Sequence, residues 1–163
     1  MSKDYFMFAL ESVAQVLEEI KPLLHAHWQE IAPFKGKVEL APDYQSYVAL
    51  EACGKLQIAT VREEGRLIGY CVSLIQRGID YSKNISAIHR LFYVDEEHRT
   101  DSLGAVELDM IAGDLLRFAE KELKLKGVSV ISVHIKVWKD WSALAEQHGY
   151  TRSEYVHQKY VGD

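Results

Sequence analysis

Residues 88–105, IHRLFYVDEEHRTDSLGA, place an apolar run, an acidic turn, an arginine and a glycine in succession. Leu91, Phe92, Tyr93 and Val94 are a short β-favouring run, and a helical period returns from Leu103 onward. The loop between them must therefore present backbone amides near a helix N-terminus, a place that binds anions. Groups that could carry protons lie elsewhere: His27 and Glu30 at the end of a long helical stripe, and His134 on a β-branched run. An imidazole ionises at about 6.5 when unperturbed, so a histidine in a cleft is the natural base near neutrality. His25 and His27 are two apart on a helix and do not share a face, which argues against a metal site. His25, His89, His98 and His148 are expected at the surface.

These groups need a frame. Val13, Val16, Leu17, Ile20, Leu23, Leu24, Trp28 and Ile31 recur at helical steps, predicting a helix over 11–31 capped at or just before Ser12. Pro22 falls inside it and predicts a kink or break. A second helix is expected over 42–52, opened by Pro42 and Asp43, then strands 56–61 and 67–75 as a hairpin around Glu63, Glu64 and Gly65. A polar connection, 76–85, leads to the central strand 86–94. Leu108, Ile111, Ala112, Leu115, Leu116, Ala119 and Leu123 give another amphipathic helix, ended by Lys124, Lys126 and Gly127. Residues 128–137 read as a buried strand, 138–148 as a short helix, and 155–161 as a last strand.

On these residues the chain resembles the GNAT superfamily of N-acetyltransferases. Its central strand ends in Val-x-Pro-x-x-Arg and leads into Arg/Gln-x-x-Gly-x-Gly/Ala, the pyrophosphate loop for coenzyme A. Val94, Arg99 and Gly104 match; Glu96 stands where the family usually has proline, and Ser102 where it has the first glycine. Within the superfamily the chain is similar to a group associated with bacteriophage genomes, through His27-Trp28-x-Glu30, Gly69-Tyr70 and His134-x-Lys136. The resemblance implies an α/β (α+β) fold, with a mixed, mostly antiparallel central sheet flanked by helices and splayed between its fourth and fifth strands. It covers nearly the whole chain, read as one domain over residues 1–163.

The same resemblance implies acetyl-CoA as co-substrate, held by the backbone near Tyr93 and Val94 and by Arg99, Thr100, Ser102, Leu103, Gly104 and Ala105. From Gly104 to Gly127 the helix is about eight residues longer than the familiar arrangement, roughly two turns. Either the helix is extended, or residues 100–107 form an insertion and the helix proper starts near Asp109. Acetyl transfer needs a neutral amine, a stabiliser for the oxyanion and a proton for the leaving thiolate. His134 is the candidate base, with Glu30 and His27 as a second base or amine-binding pair. Ala145 stands where the family's acidic tyrosine would be, so either Tyr155, Tyr160 or Tyr93 substitutes, or the thiolate, with a thiol pKa of about 8.5, leaves directly.

Composition sets outer bounds. At 163 residues the chain can bury a core without disulfides or metal. A net charge of −5 disfavours nucleic acid and suits an amine-bearing partner, a small molecule or a protein lysine or N-terminus. Two cysteines without metal-ligand spacing predict reduced thiols in a cytoplasm. No apolar run approaches the roughly 20 residues of a membrane span. A homodimer is left open, as is a second function: a catalytically degenerate GNAT-fold binding or structural module.

Overall fold

The computed structural model describes residues 5–99 and 109–162. Five strands form one sheet in the order β1 (Phe6–Leu10), β2 (Leu56–Glu63), β3 (Arg66–Arg77), β4 (Ile85–Val94) and β5 (Val128–Val133). Neighbours run antiparallel except β4 and β5, which are parallel. Helices α1 (Val13–Ile31) and α2 (Tyr44–Ala52) cover one face, α3 (Asp109–Leu125) covers the other, and α4 (Ser142–Gln147) follows β5. This is the mixed α/β architecture that the sequence implied. No described helix is long and apolar enough to cross a membrane.

Helix α1 begins with a reciprocal cap: Ser12 accepts the Gln15 amide, and the Gln15 side chain accepts the Ser12 amide. Val13, Val16, Ile20, Leu24 and His27 are its buried stripe. The break expected at Pro22 is absent. Pro22 is exposed, so the carbonyl deprived of its helical partner faces water and the helix continues. The hairpin between β2 and β3 turns on Glu64 and Gly65, both with positive φ as a two-residue turn requires.

Four expectations are corrected. A strand was not expected at Phe6–Leu10, yet FMFAL pairs with β2 as β1. Strand β5 ends at Val133 and lies at the sheet edge, where Val130 is half-exposed rather than buried. The helix expected over 138–148 shortens to Ser142–Gln147, because a bridge between Lys136 and Lys139 turns the chain first and Asp140 then accepts the Ser142 amide. Residues 155–161 form no strand. The tail is tied by Arg152 to Glu146 and Ser142, and by Tyr160 to the Phe34 ring and Lys37, away from the sheet's hydrogen-bond ladders.

Two features of β4 shape the site. Ser73 faces His89 while Val72 faces Leu91, so Arg90 is an extra residue, a bulge. The pairing of β4 with β5 ends at His89 opposite Val133, immediately before it. A bulge bends its strand and increases the local twist. Beyond it Leu91, Phe92, Tyr93 and Val94 remain paired to β3 only, so a wedge opens between β4 and the chain that continues from β5.

Candidate functional site

On the α1 face, the C-terminal turns of α1 meet the upper halves of β3 and β4. His27 is buried by its place in the apolar stripe, and its Nδ1 shares a 2.9 Å hydrogen bond with the Tyr70 hydroxyl. The Tyr93 ring lies 4.9 Å from the His27 ring and 5.7 Å from that of Tyr70. Gly69 makes the close approach of β3 to β4 possible, since a Cβ there would stand 2.7 Å from the Tyr93 carbonyl oxygen.

Glu30, one turn after His27, receives both terminal nitrogens of Arg99: Nη2 at 2.6 Å and Nη1 at 2.9 Å. The guanidinium also lies over the Tyr93 ring, 5.0 Å from its centre. Lys139 Nζ is 3.7 Å from Glu30, and the Trp138 indole N–H donates to the Glu30 backbone carbonyl at 3.2 Å. The structure thus brings two of the expected site residues, Glu30 and Arg99, into one ion pair. Arg99 is a brace between the segment after β4 and the end of α1, with its Nε buried and unpartnered.

Burial pushes the Glu30 carboxyl up, but hydrogen bonds and charge from Arg99, then Lys139 and His27, outweigh it and hold it below the usual carboxylate range. Burial drives His27 down to about 4, against the pull of Glu30. Burial raises Tyr70 and Tyr93 above the ordinary phenol value. At neutral pH this cluster is a neutral imidazole, two neutral phenols and a carboxylate paired with cations.

Of the remaining expected residues, Tyr93 belongs to this cluster and the others are dispersed. His134 follows β5 and is exposed, because the strand that was to carry it stops one residue earlier. Tyr155 is 91% exposed on the tail. Tyr93 and Val94 are buried at the end of β4 beside the wedge. Thr100, Ser102, Leu103, Gly104 and Ala105, and with them the choice between insertion and helix extension, lie outside the described residues.

Two histidines expected at the surface are not there. His98 is held between Asp95 and Glu63, its Nε2 3.0 Å from Glu63. His89 is buried on the α3 face, in a polar row that crosses the sheet from Gln57 on β2 through Ser73 on β3. Its Nδ1 is 2.8 Å from Ser73 Oγ and 3.2 Å from Cys71 Sγ, while its Nε2 is buried without a partner. No pattern in the sequence marked it. Period-two alternation does place it with Ala87, which is fully buried against Leu123 of α3.

Coenzyme A can be tested against this geometry. A pantetheine arm is a chain of amides that needs an open strand edge. Backbone groups of alternate residues in 90–94 face the wedge rather than β3, with no strand opposite them among the described residues. The fit is good at that edge.

No known family's sequence profile matches the chain, and no curated protein sequence does. Solved structures do match. An aminoglycoside acetyltransferase from an uncultured soil metagenomic sample, in complex with sisomicin, superposes with a TM-score of 0.72 at 16% identity, covering 98% of both chains. A GCN5-related N-acetyltransferase from Ralstonia eutropha gives 0.71 at 14% identity, over 96% of this chain and 99% of the other. A ribosomal-protein-alanine N-acetyltransferase from Brucella melitensis gives 0.68 at 18% identity, over 96% and 99%. The five-stranded sheet, parallel only between β4 and β5 and flanked by helices, has the fold of the GNAT N-acetyltransferases.

Proposed function

We propose that this protein is an acetyl-CoA-dependent N-acetyltransferase acting on a primary amine of a small molecule or a protein. The observation that carries the reading is the wedge, which opens at the Arg90 bulge in a fold shared with such enzymes. Acetyl-CoA, when bound, supplies the activated acyl carbon as a thioester. Backbone groups of residues 90–94 hold the pantetheine arm, and the amides of 100–105 take the pyrophosphate. Arg99 anchors the end of β4 to Glu30 rather than spending its fork on phosphate, since both Nη atoms are already committed.

The acceptor enters from the α1 face, beside Glu30, Tyr93 and Trp138. A base works best when its pKa lies near the operating pH. Glu30 is held below the carboxylate range and His27 near 4, so neither is matched to deprotonating an ammonium group. Glu30 orients the amine, which gives up its proton to water or to the exposed His134. As the new N–C bond forms and the C–S bond breaks, the sulfur leaves with the bonding pair. With a thiol pKa of about 8.5, it needs little help from an acid such as Tyr155.

The neighbours span several acceptor classes, so the test is a panel: an aminoglycoside, glucosamine 6-phosphate and a peptide with a free N-terminal alanine. Thiol release from acetyl-CoA that depends on one of these amines is expected. Saturation at a hundred times the dissociation constant should add about 2.7 kcal/mol of stability, whichever amine is used. The rival reading, a module without catalysis, is favoured by the engagement of Arg99 with Glu30 and the exposure of Tyr155. It predicts thermal stabilisation without amine-dependent thiol release, and absence of both effects refutes the acetyltransferase reading.

A further inference from the structure

Strand β5 closes the sheet order, and among the described residues no strand or bridge lies on its outer side. Its outward backbone N–H and C=O groups are a template for another strand, and native edges are blunted by charge, proline or a bulge. Val128–Val133 has neither charge nor proline. Its one irregularity, Ser129 left without a partner on β4, falls at its start. Val130 is half-exposed beside that edge.

The same chain carries a segment suited to such an edge. Residues 155–161, YVHQKYV, are mostly β-favouring, yet residues 150–162 form neither strand nor bridge. Tyr155, Val156 and Val161 are exposed. Arg152 is tied to α4, and Tyr160 to Phe34 and Lys37. The residues between these ties are presented to solvent, not laid along their own β5.

Charge selects what fits the edge. β5 is bracketed by cations, Lys124 and Lys126 before it and His134 and Lys136 after it, with no charged residue in 127–133. The exposed segment is bracketed by acids, Glu154 and Asp163, with none between. Laid along β5 in either direction, it brings an acid to each basic end. The other edge, β1, lies between Asp4 and Glu11 in the sequence and lacks that match. Two β5 strands side by side, antiparallel as a two-fold axis requires, would set one copy's Lys126 near the other's Lys136. The added segment also guards the sheet, because Lys159 then lies on the outermost strand.

We propose that residues 154–161 of one copy add as a strand to the outer edge of β5 in a second copy, and that two chains exchange these segments in a symmetric dimer. Two patches of one molecule that fit each other close under a two-fold axis, because each contact is then made twice. Backbone hydrogen bonds supply the adhesion, and Val130, Tyr155, Val156 and Val161 are covered. The exchange needs neither acetyl-CoA nor catalysis.

Sedimentation of the full chain at up to about 100 μM, which fills even a modest specific interface, should give twice the chain mass. Val156 and His157 are adjacent and exposed, so in any register one of their amides faces β5. Val156→Pro combined with His157→Pro removes that donor from both contacts and leaves the core untouched. Dimerisation should weaken at least about ten-fold. A dimer of unchanged strength in this variant would place the interface elsewhere and overturn the proposal. So would a wild type that stays monomeric or grows into open chains.

Exchange between copies is read separately, with Cys53→Ser in every protein. One protein carries Ser132→Cys, and the other carries Val156→Cys, His157→Cys, Gln158→Cys or Lys159→Cys. Mixed and oxidised, at least one combination should form an interchain disulfide, since facing residues of paired strands lie about 5 Å apart. A double variant that closes the bridge within one chain and sediments as a monomer would mean that the segment folds onto its own β5, and the proposal fails. Should the proline variant unfold by circular dichroism, the mixing experiment decides alone: no interchain bridge at any position overturns the exchange.

Discussion

Two buried neutral histidines make the fold acid-labile in a defined window. His27 and His89 each have a folded pKa of about 4, against an unfolded value of 6.5. As pH falls below 6.5 the unfolded chain takes up protons that the folded one refuses, so stability is full above 6.5 and is lost down to about 4. At about pH 5 the linkage integral gives a loss of roughly 2 kcal/mol per histidine, or about 4 together. That is a large share of the roughly 5–15 kcal/mol that stabilises a domain. His98 works in the opposite sense: burial lowers its pKa, but Asp95 and Glu63 outweigh that and raise it, so its protonation favours the folded state. Glu30, with a lowered pKa, loses its contribution only as pH falls below the carboxylate range.

Urea titrations at about pH 7.5 and pH 5 measure the difference, provided the slope m stays constant. His27→Gln and His89→Gln should each be less stable than the wild type at neutral pH and should each flatten the dependence by about 2 kcal/mol. A wild type that loses less than about 1 kcal/mol over that interval would refute the argument. So would two variants as steep as the parent. Either result would mean that the imidazoles are hydrated or charged in the folded protein.

The Arg99–Glu30 pair is partly buried, so Arg99→Ala should cost about 2 kcal/mol, between the roughly 0–1 of a surface pair and the 3–5 of a buried one. In a chain of this length that lowers Tm by about 4–8 °C. The double variant with Glu30→Gln should be less destabilised than the sum of the singles, and additivity would dissolve the pair. Calorimetry should find the acetyl-CoA affinity of Arg99→Ala nearly unchanged, whereas a loss of about 1.5–3 kcal/mol would return Arg99 to the phosphates. Gly69→Ala should destabilise by about 1–3 kcal/mol, because its Cβ would collide with the Tyr93 carbonyl; a neutral result in thermal melts would refute that close approach.

The parts legible in the sequence are those whose signal is local. The stripe from Val13 to His27, the Ser12 cap and the Glu64-Gly65 turn each follow from residues a few places apart. Even the burial of His27 was readable, since it continues the series Ile20, Leu24 at helical spacing. Strand β1 was missed because FMFAL has no alternation and is defined only by pairing with β2. The tail was over-read for the converse reason: Tyr155-Val-His-Gln-Lys-Tyr160 has β-favouring residues but pairs with no strand here. His89 was misplaced because, although alternation sets it on the face of Ala87, the cover of that face by α3 comes from residues distant in the chain.

The single extra residue of the β4 bulge has consequences on both faces. Without Arg90 as a bulge, His89, Leu91 and Tyr93 would share one face of β4, as positions two apart must. With it, His89 points to the α3 side beside Ser73, while Tyr93 packs with His27 and Tyr70 on the α1 side. The bend that accompanies the bulge also ends the pairing with β5, so the gap opens where the side chains change face. This also explains why the ion pair stands where it does: Arg99 follows β4 directly, and by anchoring to Glu30 it fixes the free end of the strand that the bulge has bent away.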